Sequence, residues 1–203
     1  MSTLLDAITL SKPSKMPGHA YSIPAARCHT GSKLRKVEGS TCSHCYALKG
    51  RYLFPNVKAA QERRIDALSE PGWTDRMVEL ITEAGDTFFR WHDAGDLQDM
   101  DHLGKIVDIA NRMPGVRFWL PTREYGMVRD WLFDHPEGFP SNLNVRLSAH
   151  MVGQSMKPVP GVTSSSVDAK EGHACPAPTQ GNACGDCRAC WDAKVPNVDY
   201  HRH

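Results

Sequence analysis

The chain has 203 residues, 40% of them hydrophobic and 23% charged, with a formal net charge of +1. This composition is ordinary for a globular protein of one sizeable domain, or one domain with a small extension. No apolar run approaches the roughly 18 residues of a membrane-spanning helix, which argues against a membrane protein.

The first stretch, MSTLLDAITLSK, carries Asp6 early and has no basic segment leading into a long apolar run. It does not read as a secretory signal and points to a cytoplasmic protein. Charge is uneven along the chain: residues 1–64 hold eleven Lys or Arg against Asp6, Glu38 and Glu62. Such a face suits an anionic partner such as nucleic acid, a nucleotide or a phosphorylated metabolite; the plainer reading is a solvated surface.

AYSIPA (20–25) reads as a short strand leading into a cysteine loop. Cys28, Cys42 and Cys45 follow with the spacing C-x13-C-x2-C. Three thiolates are one ligand short of a closed site. Either His29 or His44 completes a zinc site, or an iron is left open to a small molecule, and the spacing alone leaves both readings standing. Cys42 and Cys45 precede a basic, helix-friendly run. A helix N-terminus with Lys49 and Arg51 nearby is expected to lower the thiol pKa values. Tyr46 and Tyr52 are expected to shield the site or to serve as ordinary core aromatics.

Residues 55–69 read as a helix with Val57, Ala60, Ile65 and Leu68 near one face. A second helix is expected over 74–85, with Thr74 as N-cap and Gly85 near the C-cap. TFFRWHDAGDL (87–97) begins as an aromatic strand and ends in a polar loop. Helix (100–113), strand (116–124), helix (125–136) and strand (144–151) follow, with a weaker strand at 161–167. Trp91, Trp119 and Trp131 are expected in the core. Strands alternating with helices imply parallel βα units, whose chemistry gathers at the C-terminal strand ends. Those ends carry His92-Asp93-Ala94-Gly95-Asp96, Thr122-Arg123-Glu124 and Ser148-Ala149-His150. The pair His92-Asp93 also resembles that of metal-dependent phosphohydrolases. Such a site needs further His and Asp on neighbouring helices, and His102 is taken to lie in its helix by chance.

Residues 153–173 are rich in Pro, Ser and Gly and read as a connection. Beyond them Cys175, Cys184, Cys187 and Cys190 are spaced C-x8-C-x2-C-x2-C. Three thiols within seven residues suit an iron–sulfur cubane better than a zinc ion, which more often uses two separated pairs. Seven cysteines, an odd number, argue against a disulfide framework and for metal.

A strand, a three-cysteine loop and a strand ending in a Gly-acidic pair resemble the radical S-adenosylmethionine superfamily. More specifically, SKMPGHAYSIPA, CSHCYALKGRY, RWHDAGD and CGDCRACWD resemble a phage family called gene product 88, over roughly residues 15–200. PTRE and RLSAH look like the third and fourth strand ends of a related phage family. The resemblance implies a [4Fe–4S] cluster on Cys28, Cys42 and Cys45, with S-adenosylmethionine on the open iron. It implies cofactor contacts from Gly95 and Asp96, with Arg123 and Ser148, and His92 and Asp93 of the same loop, as further candidates. The first cysteine interval is thirteen residues where the superfamily has three, a difference that adds only a slowly growing entropic cost. The acidic residue is Asp96 where Glu is commoner.

The expected architecture is α/β: a partial parallel (βα) barrel of about four to six strands over residues 1–151, radical-SAM-like, then a four-cysteine metal-binding lobe over 152–203. The expected function is an iron–sulfur enzyme that generates a 5′-deoxyadenosyl radical on an unknown substrate, small molecule, nucleotide or nucleic acid, with an electron donor as partner. A second [4Fe–4S] cluster or zinc would occupy the C-terminal cysteines. The alternative is a zinc-stapled, nucleic-acid-binding phage accessory protein without catalysis.

Overall fold

A computed structural model describes residues 3–202. Its framework is one seven-stranded, all-parallel sheet, compatible with a partial α/β barrel. The strands are β1 (Ala20–Tyr21), β2 (Phe88–Trp91), β3 (Arg117–Thr122), β4 (Leu143–Ser148), β5 (Thr163–Val167), β6 (His173–Ala174) and β7 (Asn197–Tyr200), in the order β1-β2-β3-β4-β5-β7-β6. Seven strands exceed the expected number because β6 and β7 join β5, the weaker strand expected at 161–167. Residues beyond 152 therefore continue the sheet instead of folding as a lobe apart from it.

The helices are α1 (His29–Leu34), α2 (Pro55–Asp66), α3 (Trp73–Ala84), α4 (Met100–Arg112) and α5 (Tyr125–Asp134). Helix α2 stops short of the expected end, and Ala67–Ser69 tighten into a 3-10 turn. Helix α3 starts at Trp73, after Gly72 in the left-handed region (φ +85°), so Thr74 is not its cap. Trp73, Met77 and Ile81 recur every fourth residue and are all buried. In α4, Asp99 caps by accepting from the His102 N–H at 2.7 Å. The apolar face of α4, Leu103, Ile106, Val107 and Ala110, is buried as the periodicity predicts.

Strand alternation divides the core into two. Phe89, Trp91, Phe118, Leu120, Val145 and Leu147 face the helices, with Trp73, Met77, Ile81, Leu103 and Ile106 packed on them. The opposite face presents Phe88, Arg90, Trp119, Asn144 and Arg146. The cysteine-rich segment lies on that face, where Trp119 packs with Ala189, Cys190, Trp191 and Val198. Trp191 donates its indole N–H to the Phe89 carbonyl at 2.8 Å. Asn144 donates to the Cys190 carbonyl at 2.9 Å. Arg146, fully buried, donates to the carbonyls of Ser164, Ala189 and Val195. The order is thus helices, sheet, cysteine segment. Trp91 and Trp119 are buried and Trp131 is partly buried against the larger core, as expected. Among the described residues no helix is long and apolar enough to cross a membrane.

Candidate metal centre

Because every strand pair is parallel, the strand ends of β1 to β5 share one rim. The N-terminal cysteines assemble there through a helix that hydrophobic periodicity does not reveal. Cys28 stands at the N-cap of α1, and the chain then returns through residues 35–41 to Cys42. Gly31 sits between them. A Cβ at Gly31 would lie 2.9 Å from the Cys28 Cβ and 3.7 Å from both the Cys28 and Cys42 sulfurs. The Cys45 N–H donates to the Cys42 carbonyl at 3.2 Å, and a 3-10 turn, Tyr46–Leu48, follows. Ala25, Ala47 and Ala94 pack against Cys28, Cys45, Leu48 and Tyr52.

Cys28 and Cys42 are not acidified as expected. Burial raises the pKa of Cys28, and the negative charges of Asp96, Cys45 and Cys42 raise it further, against a lowering by Arg123. Burial also raises Cys42, with Arg123 the main opposing influence. Lys49 and Arg51 are exposed and make no such contribution to either. The three sulfurs therefore feel one another electrostatically, and metal must displace protons to bind them.

The strand ends hold this loop in place. Asp96 is buried and accepts from Thr122 Oγ1 at 2.6 Å, from the Arg123 N–H at 2.9 Å and from the Leu97 N–H at 2.8 Å. Burial still pushes its pKa up to about 6. Gly95 has φ +91°, and a Cβ there would come within 2.3 Å of Ile23 Cγ1, so the β2 loop can rest on the exit from β1 only as glycine. Arg123 Nε donates to Thr41 Oγ1 at 3.1 Å. Glu124, which sequence reasoning left without a role, accepts from the Thr30 N–H and Thr30 Oγ1, both at 2.8 Å, and clasps the first turn of α1.

The other expected contacts divide. Asp93 is buried, accepts from Ser22 and from Tyr52 Oη at 3.0 Å, and its carbonyl accepts from Tyr46 Oη. It thus seats both tyrosines after Cys45, whose rings stand 5.8 Å apart. Ser148 accepts from Ser165 Oγ at 3.2 Å, and its carbonyl from Tyr125 Oη. His92 lies in the left-handed region (φ +56°) with its ring 5.1 Å from that of His102. That pairing is not accidental to the packing: both rings are buried, and their four nitrogens have no hydrogen-bond partner among the described residues. As for a fourth ligand, His29 Nε2 is within 3.0 Å of the Gln98 carbonyl, and His44 is exposed.

The C-terminal cysteines also converge. Cys184 donates its N–H to the Lys15 carbonyl at 2.9 Å, Cys187 to the Cys184 carbonyl at 3.0 Å and Cys175 to the Asp199 carbonyl at 2.8 Å. Cys184 is raised in pKa by burial and by the thiols of Cys175 and Cys187. Burial pushes Cys190 up to about 11 against hydrogen bonding from Tyr200 Oη at 3.1 Å and the charges of Arg146 and Arg90. His173, not anticipated, brings Nε2 to 3.5 Å from Cys187 Sγ. Arg90 stands between the two groups, with its guanidinium 4.3 Å from the Trp119 ring centre and 3.3 Å from Tyr46 Oη.

Among the described residues no three His, Cys, Asp or Glu side chains are grouped as the ligands of one metal ion. A cubane spreads its thiolates over separate irons, and an all-sulfur donor set facing a side-chain-free glycine suits it in chemistry.

The family model described as gene product 88 matches residues 2–193. No curated protein matches the chain, and no solved structure does.

Proposed function

We propose that this chain, which belongs to the gene product 88 family, is an iron–sulfur enzyme of the radical S-adenosylmethionine type. Cys28, Cys42 and Cys45 would hold a [4Fe–4S] cluster, and the cofactor would occupy its open iron. The observation that carries this reading is the meeting of Cys28 and Cys42 across Gly31, on the strand-end rim beside Asp96 and Arg123. When bound, such a cluster supplies one-electron reduction of S-adenosylmethionine.

The chain's own residues have definable tasks in this reading. Gly31 leaves the space between sulfurs open. Arg123 offsets the negative charge that deprotonated Cys28 and Cys42 acquire. Tyr52, held by Asp93, packs beside Cys28 and Cys45 and keeps water from the cluster's flank. Gly95 and Asp96 bring the β2 loop against the β1 exit and the end of β3, which places a buried carboxylate next to Cys28. The C-terminal cysteines would hold a second cluster or zinc that fixes the segment covering the sheet.

The deciding experiment is anaerobic purification with iron, sulfide and zinc counted per chain. Electron paramagnetic resonance of the reduced protein, with and without S-adenosylmethionine, follows. Two clusters, one with a signal altered by the cofactor, are expected. Zinc alone after anaerobic reconstitution with iron would overturn this reading and leave a zinc-stapled nucleic-acid-binding protein. The basic first third favours that second reading, since of its exposed cations from Arg27 to Arg63 only Arg27 has an ion-pair partner, Glu62, among the described residues.

A further inference from the structure

Beside the cysteine loop lies an open surface cavity of about 550 Å³ whose lining side chains, Ser43 apart, are exposed. Arg35, Lys36, Ser43, His44 and Arg202 line it, and Glu38 is its one carboxylate among the described residues. None of the cations Arg35, Lys36 and Arg202 has an ion-pair partner among the described residues. Arg35 spends one guanidinium N–H on the Ala25 carbonyl, at 3.2 Å, which fixes its stem without neutralising it.

The wall is rigid. Ser40 Oγ donates to the Leu34 carbonyl at 2.6 Å and accepts from the Ser43 N–H at 3.0 Å. The Thr41 N–H donates to the His150 carbonyl at 2.8 Å, and Ser40 bridges Met151, so the loop is pinned to the end of β4. Ser43 and His44 are the two residues that separate Cys42 from Cys45. A ligand anchored in the cavity therefore abuts the cysteine centre. S-Adenosylmethionine carries no phosphate, so the cavity does not duplicate the cofactor's place.

We infer that this cavity binds the phosphate of a nucleotide, free or within a nucleic-acid strand, and so names the substrate class of the enzyme proposed above. Converging Arg and Lys without ion-pair partners are the chemistry that recognises a phosphate oxyanion; the Ser43 hydroxyl is spent on the Ser40 carbonyl at 2.7 Å and adds no donor. The substrate assignment rests on the catalytic reading, but the binding site does not.

The test is equilibrium binding to the full-length protein at low and moderate salt, with adenosine 5′-monophosphate and a short oligodeoxythymidylate as probes. The pocket variant Lys36→Glu/Arg202→Glu alters two exposed side chains that carry no packing. The control variant Lys157→Glu/Lys194→Glu reverses equal charge at exposed positions outside the basic first third. The expected result is salt-sensitive binding of at least one probe, weakened about tenfold or more in the pocket variant and within about twofold of wild type in the control. Equal affinity for both probes would identify a free nucleotide, and much tighter oligonucleotide binding a strand. No binding of either probe, or equal losses in both variants, would overturn the site. Metal content is counted on the same samples. Phosphate binding without iron defeats the catalytic reading alone, and iron without phosphate binding defeats this one alone.

Discussion

At the scale of single residues, one glycine and two histidines carry the most specific expectations. Valine at Gly31 would force a side chain against Cys28 Cβ and both sulfurs. Gly31→Val is expected to lose about four irons per chain on reconstitution, the content of one cubane, with an unchanged far-ultraviolet circular dichroism spectrum. Full iron in that variant would show that no cluster spans this glycine. The buried pair His92 and His102 makes a pH prediction. Burial depresses both, His102 to about 4, with His102 and Arg90 also lowering His92, while Asp99 and Asp101 oppose and Lys105 assists at His102. The unfolded chain takes up these protons near pH 6.5, whereas folded His102 resists until about 4. Stability present above pH 6.5 is therefore lost as pH falls through that window, by roughly 3 kcal/mol for His102 alone. Asp96, raised to about 6, acts with the opposite sign, so the comparison needs a variant. Urea midpoints at pH 7 and pH 5 should differ less in His102→Gln than in wild type, and an identical drop would remove the histidine from the account. The sequence raised His102 beside His92 only for it to be set aside as chance, and the clasp at Glu124 was not visible in it. Both depend on side chains that tertiary structure brings together from different elements, and no local pattern encodes that meeting.

At the scale of elements, what could be read was what repeats. The apolar faces of α3 and α4 recur at helical spacing, and their extents were legible to within a residue or so. Strands β2, β3 and β4 announced themselves through FFRW, RFWLPT and LNVRLS. Helix α1 did not, because HTGSKL has no apolar periodicity and contains a glycine. Its first turn is held by Glu124 from the end of β3, a contact ninety-four residues away. Glu124→Ala should therefore speed amide hydrogen exchange across residues 29–34 by tenfold or more while leaving α4 as protected as before. Unchanged exchange in α1 would show that the short helix holds itself. Strands β6 and β7 were hidden for another reason: HA and NVDY are too short and polar to stand out, and they pair only within a sheet already formed.

At the scale of the whole molecule, the parallel strand order was foreseeable from the alternation of elements, but the second covered face was not. The C-terminal cysteines read as the core of a lobe, whereas they lie on the sheet with Arg146 threaded beneath them. That guanidinium is fully buried and satisfies three carbonyls at 2.5, 3.0 and 3.2 Å. Arg146→Ala would remove these charged donors, leaving the Ala189 carbonyl its 3.3 Å bond from the Asp192 N–H. It should cost roughly 3 kcal/mol in chemical denaturation and lower the metal content of the C-terminal group before that of the N-terminal one. Equal loss from both groups would mean that the two halves unfold as one unit.

The placement of β7 between β5 and β6 has a consequence for how the protein is made. A chain emerging from the ribosome can gather β1 to β4, their helices and the loop around Cys28, Cys42 and Cys45 while its last residues are still being synthesised. Phe88, Trp119 and Asn144 remain uncovered until Cys190, Trp191 and the residues of β7 arrive. Biogenesis thus has a vulnerable interval that ends only once residues 184–200 have been added. Ribosome-stalled chains lacking residues 184–200 should recruit chaperones that release once those residues are added.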